Sequence, residues 1–351
     1  MGIRTTLSRA LKHLSTPLLP DDYTHLVNPL WSRRELRGRI ERIMPTSPTT
    51  AELVIRPGWA VPTDFHAGQF LGIGVQVNGK YLWRSYSLTN PPQPKDGLLT
   101  INVRALDDGY VSKHLVSYAR PGTVVRLAAP AGDFHLPNPV PARIAFVTAG
   151  SGVTPVISML RDLSRRGIRA EVAHLHSYRG DDEAVFVDEL RTLADDPGAL
   201  TYRLALRNTA EQPRIDAAVV TQTIADFKSL ASSKSAYACG PAGLLETLEE
   251  AFPGVRTERF VLARTATTAG GTVSFGSRGD VNVDGATTIL EASEQIGVNL
   301  PHGCRMGICA TCVQQLAAGT ARDIRNGTTF EAGERIRTCV CTPVGDAALD
   351  L

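Results

Sequence analysis

The hydrophobic and polar positions change rhythm along the chain, and each rhythm predicts a different architecture. Between residues 35 and 138 the apolar positions come in short alternating runs. "LRGRIERI" and "AELVIRP" read as strands. "QFLGIGVQV" and "KYLWRSYSL" flank Asn78-Gly79, a two-residue hairpin signal, and "LLTINVRAL" and "TVVRLAAP" each follow a glycine-bearing turn. Short strands at this density predict an antiparallel β-barrel. From 139 to 263 the pattern becomes an alternating α/β one with a parallel sheet. The unbroken apolar run Ile144 to Val147 reads as a buried parallel strand. Val153 to Arg166 reads as a helix, with Pro155 in its first turn and Gly167 just past its end. "AEVAHLH", "YRLAL", "AYACG" and "VRTERFV" are further strands.

The small-residue stretch 264–271, "RTATTAGG", reads as a linker. The segment 272–351 opens on the hairpin-like "TVSFGSRGDVNVDG". A helix follows, with Thr288 and Glu291 spaced as a capping box, and then a loop dense in cysteine and glycine. Ahead of all this, residues 1–34 form an extension. In it Ile3, Leu7, Ala10, Leu11 and Leu14 recur at helical spacing, with Arg4, Arg9 and Lys12 between them. Such a helix either packs on the next domain or rests its apolar face on a membrane surface.

Composition narrows the functional classes. A chain of 351 residues with 43% hydrophobic and 21% charged residues is expected to hold two or three globular domains. A net charge of +2 gives no reason to expect a nucleic-acid partner. No apolar run approaches the ~18–20 residues that cross a bilayer, so no transmembrane segment is expected. The N-terminus lacks the pattern of a secretory signal. The expected location is therefore cytoplasmic, with peripheral attachment at the inner membrane face if the extension docks there.

The chemistry concentrates in the tail. Five of the six cysteines lie in the last 48 positions. "PHGCRMGICATC" sets Cys304, Cys309 and Cys312 in a C-x4-C-x2-C array, and Cys339 follows in "IRTCVCTP". That is the spacing of a plant-type [2Fe–2S] site, in which four thiolates converge on two irons. Gly303 and Gly307 let the loop bend sharply. A structural zinc site is the alternative, although zinc knuckles more often come as paired C-x2-C. Cys341 is either a buried small residue or a substitute for Cys339.

Upstream, "FVTAGSGVTP" carries Gly150-x-Gly152-x-x-Pro155 between a strand and a helix, a context in which backbone N–H groups can receive a pyrophosphate. The next strand ends at Ser177 and Arg179 rather than at a carboxylate. That leans toward a 2′-phosphate and hence NADPH, with NADH as the alternative.

Five further signatures occur in one order: Gly68-Gln69-Phe70, Arg84-Ser85-Tyr86-Ser87, Gly109-Tyr110-Val111-Ser112, Cys239-Gly240-Pro241 and Glu258-Arg259-Phe260. With the glycine loop they resemble the ferredoxin–NADP reductase superfamily over 35–263. The segment 272–351 resembles plant-type ferredoxins, and the resemblance implies a β-grasp fold there. It implies that Arg84 neutralises a flavin phosphate, Tyr86 stacks on the isoalloxazine and Ser87 bonds near flavin N5. Val111 and Ser112 would hold the flavin phosphates through backbone and hydroxyl contacts. Thr154 and Cys239, with Gly240 and Pro241, would flank the nicotinamide, and Phe260 would lie near the flavin ring. The flavin implied is FAD, with FMN as the alternative.

The extension is similar to that of actinobacterial members which serve membrane acyl-CoA Δ9-desaturases. The implied function is therefore electron transfer from NADPH through FAD and a [2Fe–2S] cluster to a desaturase. A soluble Rieske-type oxygenase is the second acceptor, and a non-catalytic zinc-binding scaffold is the reading from another class.

Overall fold

The computed structural model describes residues 24, 27–32, 35–77, 80–106, 109–180, 183–260, 268–302, 307, 310–325 and 327–351. The expected helix at 3–14, the Asn78-Gly79 turn, the first half of the linker, and Cys304 and Cys309 lie outside the described residues. Three sheets organise the rest.

The first sheet is antiparallel: β1 (Arg37–Ser47), β2 (Thr50–Pro57), β3 (Phe70–Val77), β4 (Lys80–Ser87), β5 (Leu99–Arg104) and β6 (Val124–Leu127). The strand order is β4-β3-β6-β1-β2-β5. A bridge between Leu88 and Ile101, with Thr89 N–H donating to the Thr100 carbonyl at 2.9 Å, brings the two outer strands together and closes the barrel. Alternation explains the inside. In β1, Gly38 and Ile40 face inward while Arg37, Arg39 and Glu41 do not. Ile40, Leu53, Ile55, Leu71, Ile73, Leu99 and Ile101 fill the interior. A short helix, α1 (Tyr110–Lys113), runs into a π turn, His114–Tyr118, beside β3, β4 and β5.

The second sheet is parallel: β7 (Arg143–Ala149), β8 (Glu171–Tyr178), β9 (Thr201–Asn208), β10 (Ala236–Cys239) and β11 (Arg256–Glu258). Its helices are α2 (Val153–Arg165), α3 (Val187–Asp195), α4 (Ala217–Thr223), α5 (Phe227–Ser232) and α6 (Ala242–Ala251). The apolar run of β7 is buried because helices cover both faces. Ile144 and Phe146 pack among α2 residues such as Val156 and Leu160, and Ala145 and Val147 pack among Leu230, Leu245 and Leu248. The order β11-β10-β7-β8-β9 means the chain leaves β7 in one direction and returns to its other side. Ligands of such sheets bind outside the carboxyl ends of the strands at this reversal, here between β7 and β10.

The third sheet is mixed: β12 (Gly271–Ser274), β13 (Asp280–Val283), β14 (Val313–Asp323), β15 (Thr329–Glu331), β16 (Arg335–Arg337) and β17 (Cys341–Leu349). Its central β17 runs parallel to β12 and antiparallel to β14. Helix α7 (Ile289–Gln295) lies across it in β-grasp fashion and starts at the expected capping box. Thr288 Oγ1 accepts from Glu291 N–H, and the Glu291 carboxylate accepts from Thr288 N–H. Val273, Ile289, Leu290, Leu316 and Val340 form its core. No helix among the described residues is long and apolar enough to cross a membrane.

Candidate active site

Strand alternation divides the motif at the end of β4 between two faces: Arg84 and Tyr86 on one, Ser85 and Ser87 on the other. Tyr86 packs against the barrel core, and burial keeps its phenol protonated. Arg84 is exposed, and its Nη1 donates to the Trp83 carbonyl at 2.8 Å. Ser87 and Thr89 are buried, and their hydroxyls, with that of Ser85, have no hydrogen-bond partner among the described residues. Buried unpaired hydroxyls cost about 1–3 kcal/mol each, so a row of them marks a surface that awaits a polar ligand edge. An isoalloxazine ring, apolar on its faces and polar along its rim, fits this strand end. The first turn of α1 leaves the N–H groups of Val111 and Ser112 without intrahelical acceptors, suited to a phosphate beside Arg84. The Ser112 hydroxyl accepts from Leu106 N–H at 3.2 Å and donates to the Gly109 carbonyl at 3.1 Å, which braces the turn.

The nucleotide crevice forms where β7 and β10 end side by side, with Thr148 opposite Cys239. A Cβ on Gly152 would sit 2.0 Å from the Cys239 carbonyl oxygen and 2.9 Å from Gly240 N. Only glycine permits the two loops to touch, so the glycine loop and the Cys239-Gly240-Pro241 turn make one wall. Pro241 caps α6. The Thr154 hydroxyl donates to the Ser151 carbonyl at 2.9 Å and holds the loop's shape. Ser177, opposite Ala149, is buried at the carboxyl end of β8, and Arg179 beyond it is exposed.

The same register reveals a residue the sequence reading named only as part of a motif. Glu258 ends β11 opposite Cys239. Burial raises its pKa to about 8, and its Oε2 has no partner among the described residues. The Cys239 thiol is likewise pushed up, first by burial and then by the Glu258 charge. Phe260 follows two residues later, 36% exposed. An acidic residue inside the strand-like run "VRTERFV" was the available signal.

Helix α2 connects the two regions. Ser158 Oγ donates to the Asn90 carbonyl at 2.8 Å, Arg161 Nη1 to Thr89 at 2.8 Å, and Arg165 Nη1 to Pro92 at 2.5 Å. The helix that starts at the nucleotide loop is thereby fastened to the segment that leaves the flavin motif.

In the third domain the Cys312 and Cys339 sulfurs lie 3.1 Å apart, both buried, close enough to share one iron. Thr338 secures the approach, donating to the Cys312 carbonyl from both N–H and Oγ1 at 3.1 Å. Cys341 sits further along, in β17 opposite Asp323, where burial pushes its thiol up to about 12.

Family models match in three consecutive segments: an oxidoreductase FAD-binding domain over 57–136, an oxidoreductase NAD-binding domain over 146–250, and a 2Fe-2S iron-sulfur cluster binding domain over 275–344. The NADPH oxidoreductase of Mycobacterium tuberculosis is 45% identical over 356 residues, spanning 98% of this chain and 92% of that one. The chain belongs to the ferredoxin–NADP reductase superfamily, in its branch with a C-terminal [2Fe–2S] domain. Such a reductase is an NAD(P)H-dependent oxidoreductase that holds FAD and the cluster, so the zinc scaffold falls away. The glycine betaine monooxygenase reductase subunit of Pseudomonas aeruginosa is 24% identical and spans 82% of this chain and 87% of its own. Phthalate dioxygenase reductase shares the fold, with a TM-score of 0.59 at 24% identity over 90% of this chain and 98% of that one.

Proposed function

We propose that the chain draws electrons from NADPH and delivers them, through FAD and the [2Fe–2S] cluster, to a partner oxygenase, in particular a membrane fatty acyl-CoA desaturase. The observation that carries the electron route is the meeting of the Cys312 and Cys339 sulfurs in a chain whose other domains form a flavin and nucleotide crevice. When bound, the three groups supply hydride acceptance and one-electron carriage.

The protein's part is positioning. Arg84 and the first turn of α1 would hold the flavin phosphates. Tyr86 would pack on the ring and Ser87 would bond its rim. Gly150 and Gly152 would receive the pyrophosphate, Thr154 and Cys239, with Gly240 and Pro241, would flank the nicotinamide, and Phe260 would lie near the flavin ring. Cys304, Cys309, Cys312 and Cys339 would ligate the irons.

Preference for NADPH is supported by Ser177 and Arg179 where a carboxylate would favour NADH, and by the NADPH relative. The desaturase reading is supported by the extension's likeness to that of actinobacterial members which serve such enzymes. A soluble Rieske-type oxygenase is the second acceptor, favoured by the reductase component of the dioxygenase system that shares the fold. Reconstitution distinguishes them. The purified chain, NADPH and desaturase-bearing membranes should yield unsaturated acyl-CoA, and a soluble oxygenase in their place should turn over far more slowly. Equal rates with both, or with NADH and NADPH, would remove the finer assignment.

A further inference from the structure

Gly307, which falls within the cysteine array, is held by an arginine that neither the cysteine spacing nor the flavin motifs single out. Arg325, just after β14, forks onto Asp323, with Nε to Oδ1 at 3.0 Å and Nη2 to Oδ2 at 2.6 Å. Its Nη1 donates to the Gly307 carbonyl at 3.0 Å, and Gly307 stands in the cluster loop between Cys304 and Cys309 in sequence. Gly307 has φ +70, and a Cβ there would lie 2.6 Å from Arg325 Nη1 and 2.7 Å from its Cζ. Glycine at 307 thus serves both the turn and the approach of the guanidinium.

The other end of the clamp is equally fixed. The Asp323 side chain is only 3% exposed and also accepts from Arg325 N–H at 2.9 Å. Asp323 pairs with Cys341 in the β14–β17 ladder, and Ile324 N–H donates to the Val340 carbonyl at 2.9 Å. The ion pair therefore sits between Gly307 and the segment that carries Cys339. Asp323 holds the Arg325 pKa up, and Cys341 and Cys339 add to the effect.

Reduction adds one electron to a site that already carries thiolate charge. A fixed cation nearby stabilises the reduced form more than the oxidised form, and a fixed anion does the opposite. The effect is stronger where solvent is excluded, as at Asp323, than at Arg325, whose side chain is 28% exposed. A side chain that also bonds a loop carbonyl orients the backbone around the sulfurs. We propose that Arg325 is a positioning residue that raises the cluster's reduction potential and orders its loop, with Asp323 as the opposing charge. The inference rests on the [2Fe–2S] reading above. The electron comes from the reduced flavin, and no bond forms or breaks.

Three full-length variants test it: Arg325→Gln, Arg325→Lys and Asp323→Asn. Iron content is measured first, then the midpoint potential by titration of the cluster's EPR signal, then NADPH-dependent dye reduction. Arg325→Gln should shift the midpoint negative and Asp323→Asn should shift it positive. Arg325→Lys, which keeps the charge without the fork, should stay near wild type, and dye reduction should be unchanged in all three. Unchanged midpoints, or shifts of the same sign in the Gln and Asn variants, would overturn the proposal. Loss of iron from all three would make the pair a brace alone and overturn the tuning role. A wild-type protein without iron overturns the cluster reading itself, and the iron measurement detects that before any titration.

Discussion

At the flavin–nicotinamide crevice, Gly152, Cys239 and Glu258 arrive from separate strands and loops and are brought together by the register of the parallel sheet, while Ser87 ends a strand of the barrel. In the C-terminal domain, Cys312 and Cys339 meet across a hairpin excursion, and the remaining expected ligands are a few residues from Cys312. The first site is made of backbone approach and unpaired hydroxyls, the second of sulfur and a clamped glycine. A distributed site fails by degrees when one wall moves. A site made of ligands fails outright when one ligand is lost, and the two should be separable in one polypeptide.

The largest effect tests that separation. Cys339→Ser, or Cys309→Ser, should abolish the cluster's visible absorbance and all electron delivery to a protein acceptor, while NADPH-dependent reduction of a dye at the flavin persists. Cys341→Ser should keep both, because Cys312 meets Cys339 rather than the residue two positions on. Loss of dye reduction in the Cys339 variant would erase the contrast between the sites.

Gly152→Ala comes next. The new methyl carbon would begin 2.0 Å from the Cys239 carbonyl, so the loops must part by about 1 Å. A displacement of that size costs a hydride-transfer geometry roughly 100-fold. The kcat/KM for NADPH in the dye assay should fall by about that factor, while chemical reduction of the cluster stays unchanged. A kcat/KM within about twofold of wild type would mean the wall yields freely.

The same contrast explains which features are legible in the sequence. The cluster array was legible because its chemistry is local: a C-x4-C-x2-C run needs no fold to be recognised. Strand alternation in 35–138 and the capped helix at Thr288 were legible for the same reason, since each pattern closes within a dozen residues. The contact between Gly152 and Cys239 was not, because it depends on β10 inserting beside β7 after two intervening strands. Glu258 entered only as part of a motif. Nothing local says that its neighbour would be Cys239 or that burial would hold its carboxyl neutral.

Glu258 gives a smaller, pH-dependent effect. With a pKa of about 8 it is neutral at pH 7 and ionises above that, placing a negative charge beside the nicotinamide wall. The nicotinamide gains positive charge as it gives up hydride, so hydride transfer followed by stopped flow should quicken as pH rises through 8, on the order of tenfold, and Glu258→Gln should flatten that limb. The linkage has a definite sign. Between pH 4.5 and about 8 the folded protein keeps a proton that the unfolded chain has lost, so stability falls as pH rises across that window. Glu258→Gln should remove this slope as well. A wild-type profile flat through pH 9 would leave Glu258 as packing.

The smallest effect is silent at neutral pH and separates the two regions by acid. Thr148 Oγ1 lies 2.8 Å from His174 Nε2 and 2.8 Å from His176 Nδ1, and His174 Nδ1 lies 2.8 Å from the Tyr202 hydroxyl. One hydroxyl has one proton to give, so at least one imidazole must donate to it. Burial, and then the charge on His176, holds His174 well below its ordinary pKa, and burial takes His176 to about 4. Both rings are neutral when folded and protonate when unfolded below about pH 6.5. Stability from this pair is complete above pH 6.5 and is lost as pH falls toward 4, by at most about 1.4 kcal/mol per pH unit for each ring. Urea unfolding from pH 7 to pH 5 should therefore weaken the nucleotide domain, read by release of flavin fluorescence. The cluster absorbance, which reports the C-terminal domain, should hold to lower pH. His176→Asn should reduce the acid slope of the first signal and leave the second untouched. Equal acid sensitivity of both signals would mean the two regions unfold as one body.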